Sequence, residues 1–289
     1  MRRTDIRMTE NLKNFLAFEL GHMNEDLYTK KINDIEYTPG LKLDLYYPEE
    51  EKETYPLVIS VYGGGWVSGF KTDAFVEPMI KPVREGYAVA VPDYTLALDD
   101  VFPRPVLDLK QCILFLREHA QEYHLDPENI TLYGESAGGH LVLMAGLMPD
   151  SELGITGDTS VKNIAAMYPL TDALTAYDQA VQLGIPAQVG LEDCVFSVFM
   201  GKDWNNEEAN RKASPVTWIR PGMPKIVLEH GTGDQMVPYL QSLEFFRRAM
   251  ETDPAADVTL RLIGAKAHTD PWFFTDEHIH ELFSVLLKG

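Results

Sequence analysis

Apolar positions along the chain switch repeatedly between a period of two and a period near 3.6, and each switch marks a strand or a helix. Ile32–Thr38 and Leu41–Tyr47 flank Pro39-Gly40 and predict a hairpin, with Leu41, Leu43 and Leu45 alternating along its second arm. Leu57–Tyr62 and Tyr87–Val91 are nearly continuous apolar runs, the pattern of central strands buried on both faces in a parallel sheet. Val106 to Tyr123 predicts a helix, with Leu109, Ile113 and Leu116 on one stripe. A strand at Ile130–Tyr133 and a helix at Ala137–Met148 follow. Ile164–Tyr168, Lys225–His230 and Val258–Ile263 predict later strands, and Tyr239–Met250 and Thr275–Leu287 later helices. Strands and helices at this cadence imply an α/β class: a mostly parallel central sheet with helices on both faces.

Two stretches depart from the rhythm. Between Thr171 and Ser214, polar patches sit beside Phe196, Phe199 and Met200, and the length exceeds an ordinary loop. A small insertion or cap is expected over 171–214. At the other end, Leu12, Phe15, Leu16 and Leu20 fall at helical spacing, so 1–31 is read as an N-terminal helical extension ahead of a main domain over 32–289. That extension either closes over a site or forms a homodimer contact. Arg2 and Arg3 do not open a secretion signal, because Lys13, Asn14 and Glu19 interrupt the apolar stretch that follows.

Composition narrows the function classes. Among 289 residues, 25 Lys and Arg stand against 44 Asp and Glu, a net charge of −19. No positive field is available to collect phosphates, so nucleic acid and anionic membranes are not expected partners. Cys112 and Cys194 are too few for a disulfide scaffold or a cysteine zinc site, and no metal or cofactor is expected. Together with the absence of a long apolar run, these features predict a soluble, cytoplasmic protein.

Chemistry enters with Gly134-Glu135-Ser136-Ala137-Gly138, placed between a predicted strand and a predicted helix. A serine hydroxyl is a weak nucleophile, and a strand-to-helix elbow presents it sharply while the helix N-terminus favours developing negative charge. Upstream, Tyr62-Gly63-Gly64-Gly65-Trp66 ends a buried strand, where glycines let backbone N–H groups approach a ligand. In acyl transfer those donors, with the N–H of Ala137, would hold a tetrahedral oxyanion. The general base is expected at His268, on the loop past Val258–Ile263, rather than at any of the other seven histidines. His140 is read as structural, His230 as a partly buried strand end, and His278 and His280 as a solvated helix surface. Asp234, after Lys225–His230, is the expected orienting acid, with Asp172 its competitor.

With these residues in place the sequence resembles the α/β-hydrolase superfamily, and within it bacterial carboxylesterases of the hormone-sensitive-lipase-like and feruloyl-esterase-like groups. The resemblance runs from about Leu41 to the C-terminus. It rests on Leu43-Asp44-Leu45-Tyr46-Tyr47-Pro48, the glycine run, Pro92-Asp93-Tyr94, Phe102-Pro103 with Asp108, the serine elbow, Ser214-Pro215 and the Asp234 and His268 loops. The order Ser136, Asp234, His268 is that of the superfamily. The resemblance implies an α/β-hydrolase fold and a serine carboxylesterase of class 3.1.1, with Ser136, Asp234 and His268 catalytic. It also implies Gly64, Gly65 and Ala137 as oxyanion donors. Small-molecule esters with short acyl chains are the implied substrates, acetylated or feruloylated sugars among them. Trp66, Phe70, Phe196, Phe199, Met200 and Trp272 are the candidate pocket residues. Three positions depart from the family pattern: Tyr62 where histidine is usual, Thr95 where arginine is usual, and Thr269-Asp270 where glycine usually follows the histidine. The first bears on what steadies the glycine loop and the last on the charge around His268. An amidase, arylformamidase-like or peptidase activity on the same fold is the alternative, and a catalytically silent binding module the alternative of another class.

Overall fold

The structure is a computed structural model and describes residues 13, 16, 21–192 and 194–287. Eight strands form one sheet: β1 (Lys31–Thr38), β2 (Leu41–Tyr46), β3 (Tyr55–Val61), β4 (Ala88–Pro92), β5 (Leu125–Glu135), β6 (Asn163–Met167), β7 (Lys225–Gly231) and β8 (Val258–Ile263). Their order is β1-β2-β4-β3-β5-β6-β7-β8. The β1–β2 hairpin and its junction with β4 are antiparallel, and every other pairing is parallel. This is the α/β-hydrolase fold.

The central strands are apolar throughout because both faces are covered: every residue of β4 and of β6 is buried. On one face α1 (Arg104–Glu118) packs on α2 (Ala137–Leu147), and Pro215–Trp218 joins α2 to α6 (Leu240–Thr252), described with its neighbours α3 to α5 below. On the other face α7 (Asp276–Leu287) packs on a tight helical turn, Glu77–Glu85, with Asp276 paired to Lys81 and Arg84. That turn has no counterpart in the pattern analysis, because Pro78 and Pro82 break the helical signal that a crossover between β3 and β4 would otherwise show.

Two further differences have local causes. The α1 helix stops at Glu118 rather than near Tyr123, and the chain turns back through His124 at positive φ to bond Tyr55. Strand β5 starts at Leu125, five residues earlier than its apolar run: Tyr55 and Pro56 pair with Leu125 and Asp126, then the register jumps so that Leu57 meets Ile130. The polar residues between are a bulge, which hides the strand from a search for alternation.

The segment expected as an insertion holds three short helices, α3 (Ala176–Leu183), α4 (Val195–Met200) and α5 (Glu207–Lys212). The N-terminal helix expected over 12–20 lies outside the described residues except for Lys13 and Leu16, both helical. Among the described residues no helix is long and apolar enough to cross a membrane.

Candidate active site

Parallel strands deliver their following loops to one edge, and four such loops converge at the carboxyl ends of β3, β5, β7 and β8. After β5, Ser136 takes φ 54° and ψ −120°, a backbone conformation that a non-glycine residue holds only when its surroundings enforce it. Its N–H donates to the Met167 carbonyl at 2.9 Å, and α2 begins at the next residue. The turn is possible because Gly138 has no side chain: a Cβ there would drive into the carbonyl oxygen of Val61.

His268, on the loop after β8, sets Nε2 2.9 Å from Ser136 Oγ and Nδ1 2.7 Å from Asp234 Oδ2. The pattern fits a tautomer in which Nδ1–H donates to the carboxylate and Nε2 accepts the serine proton. The Tyr168 ring packs against the imidazole at 4.6 Å. Asp234 is buried and fully engaged: Oδ1 accepts the N–H groups of Met236 and Val237, and Oδ2 faces both His268 and His230. Burial works against its charge, but the two imidazoles outweigh that and hold the carboxyl well below the usual carboxylate range. Asp172, the competing acid, lies elsewhere, paired with Arg248 at 2.9 Å. The Asp270 carboxylate accepts from the Trp272 N–H at 2.9 Å and pairs with Lys266.

The glycine loop stands opposite. Gly64 and Gly65 both have positive φ, and the loop closes on itself as Val67 and Ser68 donate to the Gly64 carbonyl. Among the described residues no hydrogen-bond acceptor faces the N–H groups of Gly64, Gly65 or Ala137, and all three residues line the same cavity as Ser136 and His268. Two buried groups brace the loop from behind. The Tyr94 hydroxyl donates to the Gly63 carbonyl at 3.0 Å, and Glu135 Oε1 accepts the Gly63 N–H at 2.6 Å. Burial pushes the Glu135 carboxyl up. Tyr62 stacks on Tyr94, with centroids 4.7 Å apart, and donates to Asp93. The loop is therefore steadied from β4 and β5 without the histidine usual at position 62. Glu135 and Tyr94 both lay inside recognised motifs, and a carboxylate ending an apolar strand was the available signal for the first.

A second brace runs sideways. Trp66 Nε1–H donates to His140 Nδ1 at 3.2 Å, and His140 Nε2 lies 2.8 Å from the Ala213 carbonyl. The imidazole must be neutral to accept from one side and donate to the other, and burial lowers its pKa from 6.5 to about 4.

The cavity in front of Ser136 has a volume of about 360 Å³ and a largely apolar wall. Leu170, Val189, Val195 and Met236 contribute to it, with Phe75 at its mouth. Of the expected pocket residues only Trp66 lies on the wall. Phe196 and Phe199 are packed behind it in the core, Phe199 stacked on the Trp66 ring at 4.7 Å, so the tryptophan shields them from the cavity. Met200 is buried beside them, Phe70 packs on His22, and Trp272 lies against Phe273 and His278. His278 corrects another expectation: it is buried, not solvated, because Glu229 on β7 accepts from it at 2.7 Å. His280 is exposed and bonds Glu85. No cluster of His, Cys, Asp and Glu among the described residues could hold a metal ion.

This arrangement can be set beside known proteins. Isoprenylcysteine alpha-carbonyl methylesterase of Arabidopsis thaliana is 27% identical over 243 residues, covering 80% of this chain and 54% of that protein. Esterase LipQ of Mycobacterium tuberculosis is 29% identical over 227 residues, covering 75% and 52%. The chain thus spans about half the length of these relatives. Among solved structures, a truncated carbohydrate esterase from gut microbiota superposes with a TM-score of 0.80 at 21% identity, covering 92% of this chain and 100% of that one. Esterase 2 of Thermogutta terrifontis gives 0.68 at 23%, covering 91% of each. The BD-FAE family matches residues 43–249, a stretch that runs from β2 through the glycine loop and the serine elbow into α6, and the chain belongs to that family of α/β-hydrolases.

Proposed function

We propose that this chain is a serine carboxylesterase that hydrolyses neutral esters carrying a compact apolar acyl group, through an acyl-enzyme on Ser136. The observation that carries the reading is the hydrogen-bonded series Asp234–His268–Ser136, opening on an apolar cavity lined by the N–H-bearing residues Gly64, Gly65 and Ala137. Ser136 Oγ attacks the ester carbonyl carbon as His268 Nε2 takes its proton, and the carbonyl oxygen becomes an oxyanion facing the three N–H groups. The C–O bond to the alcohol breaks, and His268 returns the proton to the departing alkoxide. Water then repeats the sequence, with His268 as base, and releases the acid and free Ser136. Asp234 stays ionised throughout and stabilises the imidazolium.

The wall chemistry supports the substrate class. A cavity of this size accepts an acetyl up to a phenylpropanoid group, while buried Asp73 and Glu135 on the wall disfavour an anionic one. A sugar alcohol, as the carbohydrate esterase among the structural relatives would suggest, stays outside the apolar part, at the mouth. Purified protein should hydrolyse p-nitrophenyl acetate and butyrate faster than dodecanoate, and Ser136→Ala should lose on the order of a millionfold in turnover. A variant that keeps most of its activity, or faster cleavage of the matching anilide, removes the reading.

A further inference from the structure

We infer that His230 is a positioning residue that shares the Asp234 carboxylate with His268 and thereby tunes the basicity of the catalytic imidazole. His230 is fully buried at the end of β7, four residues before Asp234. Its Nδ1 lies 2.8 Å from Ser242 Oγ on α6, and its Nε2 lies 3.1 Å from the Val237 carbonyl and 3.3 Å from Asp234 Oδ2. The carbonyl and the carboxylate can only accept, so Nε2 carries the proton, and Nδ1 takes the Ser242 hydroxyl proton. The groups facing His230 are therefore Ser242 from α6, and Asp234 and the Val237 carbonyl from the loop after β7. The other imidazole partner of Asp234 is His268 on the loop after β8, which itself faces Ser136 and Glu135 from β5 and its loop and Tyr168 from the loop after β6.

The physical consequence follows from one oxygen facing two imidazoles. Oδ2 accepts from His268 Nδ1 at 2.7 Å, and His230 Nε2, whose N–H donates to the Val237 carbonyl, lies 3.3 Å from the same oxygen, so the positive end of the His230 N–H offsets part of the negative charge that would otherwise bear on His268. A carboxylate so shared stabilises the imidazolium less, and the resting base stays neutral at a lower pH. The Met236 and Val237 N–H groups occupy Oδ1, which leaves Oδ2 as the atom the two rings divide.

This inference rests on the triad reading above. The test is the titration of His268, followed by imidazole NMR in the full chain, beside the pH profile of kcat/KM on p-nitrophenyl butyrate. In His230→Leu the acidic limb and the NMR midpoint should both rise by about half a pH unit or more, while kcat falls on the order of tenfold and KM holds. His230→Gln restores an N–H donor near Nε2 and should recover most of the shift. Ser242→Ala, which leaves the ring in place and frees its tautomer, should move the midpoint the same way by less, and it serves if the leucine variant does not fold. Unmoved midpoints in folded variants overturn the inference, as does a downward shift, which would mean that Asp234 has left His268. An inactive native chain would remove the triad reading alone, because the NMR titration does not depend on turnover.

Discussion

Lowering the pH from 7 to 5 should weaken the fold through His140, by an amount that the structure sets. The buried ring is neutral because it accepts from Trp66 and donates to Ala213, and its pKa falls from 6.5 to about 4. Above pH 6.5 neither the folded nor the unfolded chain protonates this ring, and its contribution is fully present. Between 6.5 and 4 the unfolded chain takes up a proton that the folded chain refuses, so stability falls with pH and levels off below 4. At pH 5 the loss relative to pH 7 is about 2 kcal/mol from this ring alone. The assay is urea unfolding of the native chain and of His140→Gln, followed by tryptophan fluorescence at both pH values. The variant cannot titrate there, so its drop should be smaller than the native one by that amount, although it starts less stable. Equal drops in the two chains would refute the reasoning.

Three other outcomes follow from contacts already described. Tyr94→Phe removes the hydroxyl that donates to the Gly63 carbonyl, and kcat on p-nitrophenyl butyrate should fall on the order of tenfold with little change in KM, because under the proposed mechanism a loosened glycine loop matters most in the transition state. Gly138→Ala puts a methyl group into the Val61 carbonyl and should cost about 3 kcal/mol or more, read as a fall in thermal midpoint or a loss of soluble protein. Val189→Trp fills the apolar wall and should lower kcat/KM for hexanoate on the order of tenfold while sparing acetate, measured side by side.

The sheet was legible wherever burial on both faces left apolar runs, as in β3, β4 and β6. It was not legible where polar residues are bulged out, as between Asp126 and Ile130. The positions of Ser136, Asp234 and His268 could be expected because loops after parallel strands share an edge, a property of topology more than of any single residue. The cavity wall could not. Phe196 and Phe199 carry the same apolar signal as Val189 and Met236, and only packing tells which of them Trp66 hides. His278 escaped for a related reason: its partner Glu229 lies 49 positions away on β7, beyond the reach of helix periodicity. The braces of the glycine loop were not legible: Glu135 and Tyr94 lay inside motifs, but their contacts with Gly63 join residues 72 and 31 positions apart and emerge only from the fold.

The pin at His140 also bears on how this chain can acquire new substrates. One imidazole ties the glycine loop, through Trp66, to Ala213 at the far end of the inserted segment, and Phe199 leans on both rings. The stretch from Ala176 to Leu191 contributes Ala176, Gln188 and Val189 to the cavity, none of which takes part in that pin. Substitutions at those three positions should reshape the wall and leave the pin in place. Replacements that run on through Phe199 and Ala213 would instead disturb the glycine loop through Trp66.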